Sequence, residues 1–274
     1  MAPDTATTAA PSITVAVATH KAYAMPTDAA YLPLHVGKAL HPELDLGFQG
    51  DDTGDSISAL NAYYSELTGL WWLWKNVDAP YKGLVHYRRH FKGHTPATGK
   101  DPEGRLAAVA TGEEYLGLLD GNDIILPKRR NYYIETIRSH YAHTLPIEQL
   151  DVTRQILEET QPDYVAAFDD VMGSRGAHMF NMMVMSSERL DEYCSWLFPI
   201  LAELTHRIDP AQYDAFNARY PGRVSERLMD VWLKTCGYGY AELPTLSPEP
   251  VDWLTKGKSF LAAKFLGKKY GASF

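Results

Sequence analysis

Short apolar runs recur along the chain, and segments with helical spacing separate them. "ITVAVATH" (13–20) is β-branched and apolar throughout and reads as a buried first strand. "KGLVHYRR" (82–89), "NDIILPKRRNYY" (122–133, stopped by Pro127) and "HMFNMMVM" (178–185) read as further strands. Leu60, Tyr63, Tyr64, Leu67, Leu70, Trp71 and Trp74 recur at helical spacing, with Ser56 or Ser58 placed to cap. "PIEQLDVTRQILEETQ" (146–161) and "SERLDEYCSWLFPILAEL" (187–204) are amphipathic helices. "SERLMDVWLKTCGYGYAELP" (225–244) reads as a helix, a glycine turn and a short strand. Such alternation implies an α/β fold, a central sheet flanked by helices.

With 274 residues, 45% of them hydrophobic, the chain can bury the core of one large domain or two small ones. A formal charge of −8 argues against general nucleic-acid binding, where a basic surface supplies most of the affinity. Cys194 and Cys236 form no CxxC and are too few for a disulfide framework, which fits a reducing, cytoplasmic setting. Residues 1–12 are small and polar and read as a flexible tail, with no signal-peptide pattern. No apolar run reaches membrane-spanning length.

Several strands end in polar groups. The first closes on Thr19, His20 and Lys21, at the carboxyl end where open α/β sheets bind ligands. The second runs from Leu84 and Val85 straight into His86, Tyr87, Arg88 and Arg89. A persisting strand would turn His86 and Arg88 to one face and Tyr87 and Arg89 to the other. Two adjacent guanidinium groups need anionic partners: internal carboxylates, or the oxygens of a diphosphate. A metal reading rests on His86, His90 and His94, spaced by four, but Gly83, Gly93 and the strand-like lead oppose the helix it needs. Lys128 opens a second basic cluster. Asp51, Asp52 and Asp55 lie in a glycine-punctuated loop (45–58), where they suit ribose hydroxyls, a cation or a helix cap. Trp71, Trp72 and Trp74 fit a core better than a sugar platform. P-loop, GxSxG, HExxH and GxGxxG motifs are absent. Glu226 stands at the expected start of its helix, where a carboxylate either stabilises the helix or serves as a fixed general base.

The segments "SISALNAYYSELTGLWWLWKN", "GLVHYRRHF", "NDIILPKRRNYYIETIRSHY", "HMFNMMVMSSERLDEYCSWLFPIL" and "RVSERLMDVWL", in this order, resemble a bacterial glycosyltransferase family of capsular and exopolysaccharide biosynthesis. That family was first catalogued as a domain of unknown function and includes galactofuranosyltransferases. The resemblance runs from Ile13 to about Tyr240. It implies a single-domain nucleotide-sugar transferase (GT-A-like) over 13–253, acting on a UDP-linked donor and a glycan or lipid-linked glycan acceptor. In transferases of that type the strand corresponding to 82–89 ends in Asp-x-Asp, which holds a divalent metal. Here His86-Tyr87-Arg88 stands in that place, which implies metal-independent stabilisation of the leaving UDP by Arg88 with Arg89, His86 or Lys128. Asp51 and Asp52 keep a divalent metal open. Related sugar transferases carry their base in a segment similar to "PGRVSERLMDVWLKTCGY", so the resemblance implies Glu226 as the general base of an inverting transfer, with Asp170 the runner-up. His178 and Asn181 are expected to touch donor sugar or acceptor. Residues 254–274 carry Lys256, Lys258, Lys264, Lys268 and Lys269 among apolar residues at near-helical spacing. They read equally as a packed terminal helix or as a basic amphipathic anchor on the inner membrane face. Two rival activities are a nucleotide-sugar hydrolase or phosphoryl-transfer enzyme, and a non-catalytic glycan-binding protein.

Overall fold

The structure is a computed structural model and describes residues 12–249. The tail expected at 254–274 lies outside the described residues, as does nearly all of the tail at 1–12. The strands are β1 (Ile13–Thr19), β2 (Tyr31–His35), β3 (Gln49–Gly50), β4 (Tyr81–His86), β5 (His90–Phe91), β6 (Ile124–Pro127), β7 (Arg130–Asn131), β8 (Gly176–Ala177), β9 (Met183–Ser186), β10 (Ala241–Leu243) and β11 (Thr245–Leu246). The helices are α1 (Asn61–Tyr64), α2 (Leu67–Asn76), α3 (Pro102–Leu106), α4 (Gly112–Leu119), α5 (Ile137–Thr144), α6 (Glu148–Thr160), α7 (Val165–Gly173), α8 (Ser187–Arg207) and α9 (Tyr220–Cys236).

The main sheet has the order β10-β6-β9-β4-β1-β2-β3. Strands β1, β2, β3 and β4 are mutually parallel, and β10 runs parallel to β6. Among the described strands of this sheet only β9 is reversed, antiparallel to β4 on one side and β6 on the other. The expected α/β architecture, a central sheet flanked by helices, is what forms, and the sheet is mostly parallel. Along each strand alternate residues face opposite layers. Ala16, Ala18, Leu84, Met183 and Met185 face α2 and the α5–α9 layer, while Val15, Val17, Val85 and Val184 face α4 and Tyr115.

Gly83 marks the tightest strand contact. A Cβ there would stand 2.8 Å from the Met183 carbonyl oxygen and 2.8 Å from Val184 Cγ2. Gly83→Ala therefore forces β4 and β9 apart and should cost about 1–3 kcal/mol by overpacking. Thermal unfolding should show Tm lowered by roughly 2–10 °C, and an unchanged Tm would refute the close approach.

Local structure departs from the sequence reading at several places. The helix expected across Leu60–Trp74 is split at Ser65, whose φ of 52° ends α1; Arg219 Nε donates to Ser65 Oγ at 2.9 Å. The expected strand at 178–185 shrinks to β9, because Phe180 (φ 87°) and Asn181 (φ 49°) leave the extended region. Helix α9 begins at Tyr220, since Pro221 suits the first turn of a helix, so Glu226 lies in its second turn. The β4 strand stops at His86. Finally, Gln49 and Gly50, expected in a loop, join the sheet edge as β3.

Candidate active site

Sheet order decides where a ligand fits. From β1 the chain adds β2 and β3 on one side, then returns to add β4 on the other. The strand order therefore reverses between β1 and β4, and the crevice beyond their carboxyl ends is the expected binding place. The residues there are His20 and Lys21 after β1, and His86 to Arg89 after β4. Strand β6 is parallel to β4 and delivers Lys128 to the same edge. Strand β9, being reversed, brings its entry segment 178–182 there too.

The His86–Arg89 stretch is a tight reversal. Arg89 N–H donates to the His86 carbonyl at 2.8 Å, and His86 N–H to the Arg89 carbonyl at 3.1 Å. Tyr87 and Arg88 form the tip, so the expected strand-like alternation gives way to a turn that separates the two arginines. Tyr87 is 2% exposed. It serves as a platform within the site and has little surface left for a ligand: His20 meets its ring edge-on at 5.5 Å, and Lys21 Nζ and the Arg88 guanidinium lie 5.2 and 5.3 Å from its centroid. Arg88 is exposed. Arg89 is half-buried and lies 3.7 Å from the Phe180 ring centroid.

Among the described residues no carboxylate comes within ion-pair distance of Lys21, Arg88, Arg89, Lys128 or Arg130; the ion pairs present use other cations. Burial disfavours the charged form of Arg89, Glu226 opposes that effect, and Arg88 and Arg130 add to it. His86 is pushed down to about 3 by burial and by Arg88 and Arg89, so it stays neutral. Its Nδ1 accepts the Arg88 backbone N–H at 3.2 Å. His20 is likewise lowered by burial, Lys21 and Arg88. The three histidines spaced by four disperse. His90 is buried against the Tyr87 carbonyl (3.3 Å) and His94 pairs with Glu114 (2.8 Å). Among the described residues no three His, Cys, Asp or Glu side chains are grouped to hold a metal ion.

The acids divide into available and committed. Glu226 is one-fifth exposed and sits 3.0 Å from Arg227 Nη1. Asp170 lies on the surface, paired to Lys234 at 2.7 Å. Lys234 is two turns along α9 from Glu226, ~12 Å at 1.5 Å per residue, so Asp170 does not share Glu226's position. Asp51 is fully buried. It accepts from the Gly37 and Lys38 N–H groups (3.0 and 3.2 Å) and from the Ser58 and Thr68 hydroxyls (2.5 and 2.6 Å). That saturates its oxygens and removes it from ribose or cation binding. Asp52 remains exposed. Thr19 is buried, its hydroxyl donating to the Lys21 carbonyl at 2.7 Å, so it shapes the turn that carries His20 and Lys21.

His178 is also drawn inward. It is 2% exposed, with Nδ1 2.5 Å from Asp230 and Nε2 2.9 Å from Glu242. Both ring nitrogens are taken, so the expected sugar contact gives way to a tie between β10, α9 and the segment before β9. Asn181 donates to Glu66 (2.7 Å) and to the Gly222 carbonyl (2.8 Å), and accepts from Ser225 (2.7 Å). It positions the start of α9 instead of facing solvent. Glu66 was missed by the sequence reading. Burial and the charge of Glu226 raise its carboxyl above the ordinary range, against the Asn181 hydrogen bond. Its available signal was an acid inside the apolar "YYSELTGLWW" run.

A solved structure described as WbbM bifunctional glycosyltransferase, apo form, has the same fold, with a TM-score of 0.79 and 30% identity. The match covers 86% of this chain and 45% of that one, so this chain spans less than half the length of the protein it matches. No curated protein sequence matches the chain. The family model described as Domain of unknown function (DUF4422) matches residues 14–237, which run from β1 through α9 and hold every element of the crevice described above. The chain therefore belongs to the DUF4422 family.

Proposed function

We propose that the protein is a glycosyltransferase that moves a hexose from a nucleoside-diphosphate donor to a glycan acceptor. The observation carrying this reading is the set of cations at the sheet's switch point that have no carboxylate partner among the described residues: Arg88, Arg89, Lys21 and Lys128. A charge withdrawn from water without a partner is costly, so a half-buried guanidinium such as Arg89 suits an anionic ligand. The 30% identity to a glycosyltransferase over most of this chain supports the reaction class. The resemblance of the five sequence segments supports the finer choice of UDP-galactofuranose as donor and cell-surface polysaccharide synthesis as the setting. Among the described residues no helix is long and apolar enough to cross a membrane.

The reaction follows from the geometry proposed. The acceptor hydroxyl oxygen attacks the anomeric carbon while the bond from that carbon to the diphosphate oxygen breaks. The bonding pair leaves with UDP, where Arg88, Arg89 and Lys128 stabilise the charge that develops. The acceptor proton passes to Glu226, held near Arg227 on the second turn of α9. Attack opposite the leaving group inverts the configuration. Because cations already supply the charge compensation, the transfer is proposed to be metal-independent. Incubation with a panel of nucleotide sugars in EDTA should release UDP and extend the acceptor. Free sugar without extension would indicate a hydrolase. Glycan binding without UDP affinity would indicate a lectin-like protein. Complete loss in EDTA with rescue by manganese or magnesium would refute metal independence.

A further inference from the structure

The two most exposed large hydrophobic side chains among the described residues are consecutive. Tyr133 is 75% exposed and Ile134 62%. They follow β7, two and three residues beyond Asn131, in the segment that leaves the carboxyl end of β6. Their presentation is fixed by the backbone. Tyr133 has φ 57°, a left-handed conformation unusual for a bulky residue. Its N–H donates to Asn131 Oδ1 at 2.8 Å, the Ile134 N–H reaches the Tyr132 carbonyl at 2.6 Å, and Arg175 Nη1 donates to the Tyr133 carbonyl at 3.2 Å. A strained residue in a turn fixed by three hydrogen bonds keeps two apolar side chains in water.

The surroundings are cationic. Arg129, Arg130 and Arg175 are exposed, and among the described residues none is in an ion pair. Arg129 Nη2 is held by the Gly176 carbonyl and Arg130 lies 5.2 Å from the Tyr132 ring centroid. The nearby acids are occupied: Glu135 by His140 and His143, Glu242 by His178 and the Arg129 backbone N–H. A basic cluster on a chain of net charge −8, enclosing an aromatic and an aliphatic side chain, has the make-up of an interfacial anchor.

We propose that the 129–135 segment docks on an anionic lipid bilayer, with Tyr133 and Ile134 entering the headgroup region and Arg129, Arg130 and Arg175 meeting lipid phosphate. A glycan platform would use the tyrosine face, but it leaves Ile134 and the three guanidinium groups without a role. The inference does not depend on the transferase reading, since vesicles contain no donor. Docking here would turn the crevice toward the bilayer surface.

The test uses the full chain and vesicles of 30% phosphatidylglycerol in phosphatidylcholine, against pure phosphatidylcholine. The parent protein should sediment with the anionic vesicles and release at high salt. Tyr133→Ser/Ile134→Ser should partition at least tenfold more weakly while keeping the parent's Tm. Ile134→Trp should retain partitioning, and brominated acyl chains should quench its emission beyond that of the parent. Equal partitioning of parent and double variant would overturn the proposal and place binding elsewhere. No binding by the parent, or no added quenching, would overturn it too. So would a double variant that keeps vesicle binding and loses oligosaccharide binding, which would identify a glycan platform.

Discussion

Glu226→Gln should reduce kcat by about 10²–10⁴-fold, the usual contribution of a positioned general base. The substitution is isosteric, and the amide oxygen can still accept from Arg227 Nη1, so α9 should fold as before. UDP affinity should be retained, because the proposed charge compensation of the diphosphate comes from Arg88, Arg89 and Lys128 and not from Glu226. Turnover assays paired with UDP titration separate the two effects. A variant that loses UDP binding as well would make Glu226 a support for Arg89, whose charged state it favours. If Asp170→Asn abolishes turnover while Glu226→Gln does not, the base is Asp170 and the crevice extends along α9.

The second large effect belongs to Arg89→Ala. Loss of one charge-assisted contact should cost about 1.5–3 kcal/mol, roughly ten- to a hundredfold in donor affinity, with a further loss in turnover if the contact strengthens as UDP leaves. Stability argues the other way. The parent holds a half-buried guanidinium with no carboxylate at ion-pair distance among the described residues, so removing it should leave Tm unchanged or raise it. A site that binds anions and a site that merely pairs internally thus predict opposite signs for stability. Arg88→Ala, at the exposed tip of the same turn, should weaken the donor with little effect on Tm. Wild-type kinetics for both variants would show that the turn is purely structural.

Strands with a uniform environment were readable from the sequence. Ile13–Thr19 is buried at every position, and its β-branched run reports that directly. Strand β2 was missed because Pro33 interrupts a short "YLPLH" run. The turn at Tyr87–Arg88 and the break at Ser65 carry no glycine or proline at their centres, so local chemistry gave no warning. The 178–182 stretch is as apolar as a strand, but Phe180 and Asn181 take positive φ to aim one side chain at Arg89 and the other at Glu66. For the crevice, the polar ends of β1, β4 and β6 were visible as residue types at strand termini. Which polar groups remained available was not. Asp51, His178 and Asn181 look like ligand contacts in one dimension, yet Asp51 is saturated by partners on the segments that flank it and His178 and Asn181 by partners far away in sequence. Saturation is a property of packing, and no spacing rule encodes it.

The reversed strand β9 also constrains how the chain can be made. Among the described residues strand β6 has only β9 and β10 as neighbours, and both are synthesised after it. About 55 residues separate the end of β6 from the start of β9, which at 5–20 residues per second is roughly 3–11 s of translation. Throughout that interval "IILP" has no lateral partner and is a candidate for chaperone capture on the ribosome. Arrested nascent chains ending before Met183 should therefore be held by holdases, and chains that have released β9 should let go.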